Sequence, residues 1–330
     1  MPDTFTAYRV EKEGDETTRS LQELSVSDLP EGEVTVKVAY SSLNYKDALS
    51  ATGNPGVTKN YPHTPGIDAA GTVVSSSNGN FKGGDEVIVT SYDLGMETDG
   101  GFGGMIRVPA DWVIPLPQGL SLRESMVLGT AGLTAALCLD ALLGQGLTKE
   151  GGPVVVTGAT GGVGSAAVAL LGTLGFETVA STGTKEAEGL LKSLGASEVI
   201  DRHELSEEQK RPMLKSRWGG AIDTVGGSTL TNVVKSLKWG ASAAACGLVA
   251  GPQLDLTVFP FILRGVNLLG VDSAQCPMAK RKEVWEKLAG EWKVDLEAVT
   301  NEVTLSELDD AVDAILQGKT QGQTLVKLEG

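Results

Sequence analysis

The chain changes its hydrophobic rhythm twice. Over residues 5–40 apolar and polar positions alternate, the period-two pattern of strands with one covered face. Val34-Thr35-Val36-Lys37-Val38-Ala39-Tyr40 carries that alternation on β-branched residues, and further short strands are predicted at 72–74, 86–90 and 105–109. Gly83-Gly84-Asp85 and the run Gly100-Gly101-Phe102-Gly103-Gly104 punctuate them, as in a small β-rich domain. Beyond Pro117 the alternation stops, and the Ala- and Leu-rich stretch 121–143 has helical spacing. From Pro153 the pattern becomes strand, glycine loop, helix, repeated. Strands are predicted at 153–157, 177–182, 198–200, 221–225, 242–247 and 267–271, with the strongest helices at 162–174, 186–194 and 228–237. Alternating β and α units specify a parallel, doubly wound sheet. The sequence ends on a helix from Ser306 to Gln317, with Ser306 as N-cap and Gly318 as C′ glycine, then a strand at 324–328.

Composition narrows the partners. A length of 330 residues corresponds to about two domains, and 41% apolar residues suffice for ordinary cores. The net charge of −15 argues against a nucleic-acid binder or a protein of anionic membrane surfaces, yet leaves room for a small basic pocket. The 43 glycines are about twice the usual share, so many backbone positions need positive φ or close approach. Three widely spaced cysteines, Cys138, Cys246 and Cys276, make no disulfide framework and fit a reducing compartment. The first residues show no signal-peptide pattern, and no stretch reaches the roughly 18–20 apolar residues of a membrane span. A soluble, cytoplasmic protein is expected.

The chemistry concentrates at Val154-Val155-Val156-Thr157-Gly158-Ala159-Thr160-Gly161-Gly162-Val163-Gly164. An apolar strand runs into glycines and then into the helical run Ser165–Leu171. That is the context of a dinucleotide fingerprint: a glycine for the tight turn, glycines for approach to a pyrophosphate, and one for close helix–strand packing. The helix N-terminus then offers unpaired N–H groups and partial positive charge to phosphates. A cofactor carrying a free ribose diol calls for Asp or Glu about 20 residues after the first glycine. Here the region reads Val179-Ala180-Ser181-Thr182-Gly183-Thr184-Lys185, without an acid. Lys185, and Arg202 after the next strand, suit a 2′-phosphate, so NADPH is favoured over NADH.

Two dehydrogenase classes do not fit. A short-chain dehydrogenase carries its loop near the N-terminus and a Tyr-x-x-x-Lys after it, but all five tyrosines (Tyr8, Tyr40, Tyr45, Tyr61, Tyr92) precede the loop. A zinc alcohol dehydrogenase shares the domain order but needs Cys and His ligands. This sequence offers His63, His203 and no Cys-x-x-Cys, so no catalytic metal is expected, and His63 reads as a turn or pocket-rim residue.

Several segments converge on one family. Ser41-Ser42-Leu43-Asn44-Tyr45-Lys46-Asp47-Ala48-Leu49, Pro65-Gly66-Ile67-Asp68-Ala69-Ala70-Gly71-Thr72-Val73 and Gly129-Thr130-Ala131-Gly132-Leu133-Thr134-Ala135 precede the glycine loop. Leu191-Lys192-Ser193-Leu194-Gly195-Ala196, Ala221-Ile222-Asp223-Thr224-Val225-Gly226, Ala245-Cys246-Gly247-Leu248, Pro260-Phe261-Ile262-Leu263-Arg264 and Gly270-Val271-Asp272-Ser273 follow it. Over nearly its whole length the chain resembles the zinc-free medium-chain dehydrogenase/reductases, and within them the NADPH-dependent acryloyl-CoA reductases and their quinone-oxidoreductase-like kin.

The resemblance implies an α/β protein: a β-rich GroES-like catalytic domain from residues 1–124 and 272–330, with a Rossmann doubly wound parallel sheet at 125–271 inserted in it. It implies an active site in the interdomain cleft and a homodimer through the edge strand at about Asn267–Val271. By matching motif, Tyr45 faces the nicotinamide. Thr160, Gly161, Gly162 and Val163 hold the pyrophosphate, and Thr182, Gly183, Thr184 and Arg202 surround the 2′-phosphate. Leu248, Ile262 and Ser273 line the nicotinamide side. The family often has Ser-Gly-Arg where this chain has Thr182-Gly183-Thr184, and Lys185 stands ready to supply the missing charge. A family contact near the C-terminal helix falls on Gly318 and is not carried over.

The implied reaction is acryloyl-CoA + NADPH + H⁺ → propanoyl-CoA + NADP⁺, without a metal. The developing enolate needs a hydrogen-bond donor and the α-carbon a proton. Tyr45 is the candidate donor, with Asn44 orienting substrate; the alternative is that Tyr45 only stacks on the nicotinamide while water gives the proton. Asp47 and Asp68 are candidates to tune the site, Asp68 equally as a structural acceptor. Lys46 reads either as a substrate contact or as a surface charge. Arg264 is a candidate cation for the CoA phosphates, whereas Lys280-Arg281-Lys282 reads as a solvated helix start. Cys246 and Cys276 lack a partner histidine and are not read as nucleophiles. Reduction of quinones or other enones, and an NADPH-binding sensor without turnover, stand as the competing functions.

Overall fold

The computed structural model describes residues 3–14 and 16–328. The chain opens with a long antiparallel hairpin, β1 (Thr4–Glu13) and β2 (Glu16–Ser25), in which Ala7, Tyr8 and Val10 of β1 are buried. Strand β3 (Val34–Leu43), helix α1 (Tyr45–Ala51) and strands β4 (Asp68–Ser76), β5 (Glu86–Thr90), β6 (Met105–Val108) and β7 (Val113–Pro115) follow. The long helix α2 (Leu122–Gly144) leads to the alternating part. There β8 (Val154–Thr157), α3 (Gly162–Thr173), β9 (Thr178–Thr182), α4 (Glu188–Ser193), β10 (Glu198–Asp201) and α5 (His203–Ser206) come first. They are followed by β11 (Trp218–Asp223), α6 (Gly227–Lys235), β12 (Leu237–Ala245), α7 (Phe259–Arg264) and β13 (Asn267–Gly270). The chain closes with α8 (Met278–Ala289), β14 (Thr300–Thr304), α9 (Leu308–Leu316) and β15 (Gln323–Lys327).

The chain divides into two compact units. One comprises Met1–Thr130, Ala274–Ala289 and Thr300–Gly330; the other comprises Ala131–Ser273 and Gly290–Val299. The first holds a seven-stranded sheet of order β14-β15-β3-β4-β5-β7, with β6 also paired to β3. Its pairs are antiparallel except β14 with β15. The second holds a six-stranded parallel sheet of order β10-β9-β8-β11-β12-β13. Numbered within that unit, the order is 3-2-1-4-5-6, the Rossmann arrangement, and its switch point falls between β8 and β11. Val154, Val155 and Val156 are all fully buried, as expected of a central parallel strand covered on both faces.

Three expectations are revised. The helix predicted at 121–143 is broken at Gly129, which takes φ 52° and ψ −158°. The same helix is long and apolar enough to cross a membrane, against the sequence expectation, but 78% of its most apolar window is buried inside the protein. The C-terminal helix is entered through a short 3-10 turn capped by Thr304 rather than Ser306. Both Thr304 N and Oγ1 donate to Glu307 Oε2 at 2.8 Å, while Gly318 takes the expected positive φ of 66°.

Candidate functional site

In the parallel unit, β8 delivers the chain into the glycine loop at the switch point. Gly158 has φ 60°, and a Cβ there would collide with Thr224 Oγ1. A Cβ on Gly164 would collide with the Gly158 carbonyl, so α3 packs against the loop only because that residue has no side chain. Gly161, the N-cap of α3, faces open space: a Cβ there would meet only Gly158 O at 3.5 Å. The bond from Ser165 N to Gly161 O (2.8 Å) closes the first turn, and the N–H groups ahead of it have no intrahelical acceptor. An open cradle rimmed by Thr160, Gly161, Gly162 and Val163 therefore fits a pyrophosphate. Asp223, at the end of β11, braces it from behind. Its Oδ1 accepts from Thr157 Oγ1 at 2.7 Å, and its Oδ2 accepts from Gly226 N at 2.7 Å and Val225 N at 3.2 Å.

A second group forms where β9 and β10 end side by side, with Thr182 paired to Asp201. Thr182 Oγ1 lies 3.3 Å from Thr160 Oγ1 and accepts from Thr184 N at 3.0 Å, tying this group to the loop. Arg202 N donates to Thr182 O at 2.8 Å, and its side chain lies across Gly183, where a Cβ would come within 2.8 Å of Arg202 Cδ and Nε. Lys185 and Arg202 are exposed and flank Asp201. The His203 N–H bond and these cations hold the Asp201 carboxyl below the usual range. Thr182, Gly183, Thr184, Lys185 and Arg202 thus gather into one basic, hydroxyl-rich rim without an acid on β9, a good match for a 2′-phosphate.

In the other unit the polar cluster centres on Asp68, the first residue of β4. The break at Gly129 turns Thr130 onto it: Thr130 N reaches Asp68 Oδ2 at 2.8 Å and Thr130 Oγ1 reaches Oδ1 at 2.6 Å. Ser42 Oγ (2.6 Å) and Asn44 Nδ2 (2.8 Å) complete four donors on one fully buried carboxylate. Burial pushes the Asp68 carboxyl upward while these donors oppose the shift. Asp47 is equally buried. Its Oδ2 accepts from Asn44 N at 2.8 Å and its Oδ1 from Gly66 N (3.1 Å) and Ile67 N (2.8 Å). Burial raises its pKa to about 7 against those backbone bonds, with the Asp68 charge adding to the rise. Asn44 is fixed from both sides, and Tyr45, the first residue of α1, follows with 51% exposure. The cluster offers a rigid amide and an available phenol, a geometry suited to orienting and protonating a carbonyl compound.

Ser42 and Thr130 had no role in the sequence reading, although both stand in motifs quoted there. The signal for Thr130 was a Gly-Thr pair interrupting an Ala- and Leu-rich helix. Arg264 requires correction as a substrate contact. Its guanidinium donates to the carbonyls of Lys235 (2.9 Å), Leu237 (3.2 Å) and Leu214 (2.6 Å), which makes it a strut of the parallel unit. Arg281 is fully buried rather than solvated; it donates to Thr90 O and Oγ1 and to Ala274 O and lies 4.4 Å from the Tyr92 ring centroid. His63 is buried as well, with Nε2 2.9 Å from Gly95 O, so it is no rim residue. Leu248 and Ile262 are exposed, and Ser273 Oγ accepts from Thr134 Oγ1 at 2.7 Å. Among the described residues no group of three or more His, Cys, Asp or Glu is placed to hold a metal ion.

Comparison with known proteins agrees with this architecture. Residues 30–118 match the family model of the alcohol dehydrogenase GroES-like domain, and residues 162–294 match that of the zinc-binding dehydrogenases. The chain is 47% identical to the acrylyl-CoA reductase AcuI of Ruegeria pomeroyi over 98% of each sequence. It is 48% identical to YhfP of Bacillus subtilis, provisionally named a quinone oxidoreductase, over 99% of this chain and all of that one. The YhfP structure with bound NAD superposes with a TM-score of 0.96, covering 98% of this chain and 99% of that one. The yhdH oxidoreductase of Salmonella enterica in complex with NADP superposes at 0.94, with 45% identity, 98% of this chain covered and 100% of that one. The chain belongs to the medium-chain dehydrogenase/reductase family.

Proposed function

We propose that the chain reduces the α,β-double bond of acryloyl-CoA to propanoyl-CoA with NADPH. The observation that carries the reading is the full-length likeness to an acrylyl-CoA reductase at 47% identity. The NADP complex of the Salmonella relative supports the cofactor, as do Lys185 and Arg202 beside Thr182. NADPH supplies the hydride that reaches the β-carbon. Thr160, Gly161, Gly162 and Val163 bind its pyrophosphate, and Thr182, Gly183, Thr184, Lys185 and Arg202 bind its 2′-phosphate. Leu248, Ile262 and Ser273 line its nicotinamide side. Tyr45 donates a hydrogen bond to the thioester oxygen as enolate charge develops, and Asn44, fixed by Asp68, orients the acyl group.

The name of YhfP favours a second reading, reduction of a quinone or another enone. Steady-state NADPH oxidation by purified protein separates the two, with acryloyl-CoA, crotonyl-CoA and a simple quinone as acceptors and NADH as control. Fast turnover of acryloyl-CoA with NADPH is expected. Turnover of the quinone alone would replace the thioester reading, and tight NADPH binding without turnover would make the protein a sensor.

The acyl-CoA substrate is joined by a proposed second copy of the chain. Strand β13 is the edge of the parallel sheet, and Val258, Phe259, Ile262 and Leu263, at the start of α7 and along it, are exposed apolar residues of the same unit. An open edge beside an apolar surface is the arrangement that pairs strands between copies. A dimer by light scattering, lost in Leu263→Asp, is the expected result; a monomer at all concentrations would remove this partner.

A further inference from the structure

Among the described residues, two that are not glycine take a left-handed backbone, and they are neighbours: Ser91 with φ 60° and Tyr92 with φ 52°. That region is unfavourable for both side chains, and such residues persist only where their surroundings hold them. Here the surroundings are firm. The fully buried Arg281 donates to Thr90 O (2.9 Å) and Thr90 Oγ1 (2.8 Å) just before the pair, and to Ala274 O (3.0 Å). Its guanidinium lies 4.4 Å from the centroid of the Tyr92 ring. Tyr92 N donates to Ala274 O at 3.1 Å, and the Tyr92 hydroxyl donates to Cys276 O at 3.1 Å. All of these residues belong to the unit that carries the polar cluster.

The unusual backbone gives Ser91 two bonds at once. Its N–H donates to Ile67 O at 2.6 Å, and its Oγ lies 2.9 Å from Thr130 Oγ1. These two bonds close a circuit. Ile67 N donates to Asp47 Oδ1 at 2.8 Å, and Asp47 Oδ2 accepts from Asn44 N at 2.8 Å. Asn44 Nδ2 donates to Asp68 Oδ2 at 2.8 Å, and Asp68 Oδ1 accepts from Thr130 Oγ1 at 2.6 Å. A hydroxyl carries one proton; with that of Thr130 on Asp68, the Ser91 hydroxyl is the donor to Thr130. We propose that Ser91 is a positioning residue: its hydroxyl fixes Thr130 on Asp68 and so holds the Asn44 amide where it orients the acyl group.

The circuit matters because the two buried carboxylates grip the same residue, Asp47 by the Asn44 backbone and Asp68 by its amide. Asn44 is held in one orientation only while the carboxylates keep their places relative to each other. Ser91 ties them on the far side, through Ile67 to Asp47 and through Thr130 to Asp68. Ser42 Oγ (2.6 Å) and Thr130 N (2.8 Å) also donate to Asp68 Oδ2, so loss of the Ser91 hydroxyl loosens the cluster without dissolving it. A misplacement of about 1 Å in a reacting geometry can cost roughly 100-fold in rate, and a loosened cluster is expected to cost about tenfold. The effect on turnover rests on the proposed function, but the circuit itself does not.

The test compares wild type with Ser91→Gly and Ser91→Ala. Both variants remove Oγ, but glycine accepts a positive φ freely and alanine does not, so an effect common to both belongs to the hydroxyl. Each is expected to lower kcat with acryloyl-CoA about tenfold and to keep KM for NADPH. Amide hydrogen exchange is expected to quicken across residues 41–49 and to stay unchanged across the glycine loop at 158–164. The melting temperature is expected to hold in Ser91→Gly and to fall in Ser91→Ala, which separates loss of turnover from loss of stability. A wild-type kcat in Ser91→Gly overturns the positioning role, whatever the alanine variant does. Unchanged exchange at 41–49 in both variants overturns the circuit. A wild-type protein that leaves acryloyl-CoA unreduced counts against the functional reading instead, and exchange at 41–49 still decides the circuit.

Discussion

At the scale of single residues, the two clusters make separable demands. Arg202 lies across Gly183 with its guanidinium at the rim where β9 and β10 end, and it is exposed to whatever binds there. A hydrogen bond between charged partners contributes about 1.5–3 kcal/mol, or roughly 10–100-fold in affinity. Arg202→Ala is therefore expected to raise KM for NADPH by about that factor and leave KM for NADH unchanged. Equal losses for both cofactors would mean that the arginine braces the loop without touching the 2′-phosphate. Tyr45 is tested through its hydroxyl. Removing one donor to a developing oxyanion typically costs about 10²–10³ in kcat. Tyr45→Phe is expected to lose that much with acryloyl-CoA while KM for NADPH holds. A loss below about tenfold would reduce the ring to a stacking platform and give the proton to water.

At the scale of elements, neighbouring glycines of one loop have different duties, and the difference is measurable. Gly161 has room for a methyl group and ordinary φ of −78°, so Gly161→Ala is expected to keep the melting temperature and raise KM for NADPH, because the methyl fills the cradle. Gly164 has no room, since its Cβ meets loop backbone. Gly164→Ala is expected to lower the melting temperature as well as NADPH binding. Loss of stability in both, or in neither, would show that the loop is not held by the contact between Gly158 O and α3. The same elements show what sequence reveals. The glycine loop was legible because strand, turn and helix are local and each glycine has a local reason. Asn44, Tyr45 and Asp68 were legible as polar residues in distinctive motifs. Their linkage was not, because Ser42, Asn44 and Thr130 meet on Asp68 only through the pairing of β3 with β4 and the break at Gly129. Arg264 and Arg281 misled for a related reason. A charge in a motif reads as a ligand contact or a surface group until the carbonyls that surround it are known. Strand β14 was missed because Thr300-Asn301-Glu302-Val303-Thr304 is a polar edge strand without the alternation of a covered one.

At the scale of the whole molecule, the buried acids of the polar cluster couple its protonation to folding. Asp47 is fully buried, and its pKa rises from 3.8 to about 7 because burial outweighs three N–H donors. The native state therefore binds a proton that the unfolded chain has already released over the interval between those values. Stability from this residue is present below the unfolded value and is lost as pH rises through about 7. Asp68 and Asp223, both raised by burial, act in the same direction. His63, lowered by burial, acts in the opposite one: its contribution is lost as pH falls from 6.5 through its lower native value. A melting curve of the wild type alone sums these effects with the repulsion of a chain of net charge −15. Subtracting Asp47→Asn isolates one, since the other groups are common to both proteins. The melting temperature of the wild type minus that of the variant is expected to shrink from pH 5 to pH 8. A difference that stays level from pH 5 to pH 8 would mean that the N–H groups of Asn44, Gly66 and Ile67 outweigh burial. Asp47 would then be a fixed anion at the foot of α1, and its hold on the Asn44 backbone would be independent of pH across the working range of the enzyme.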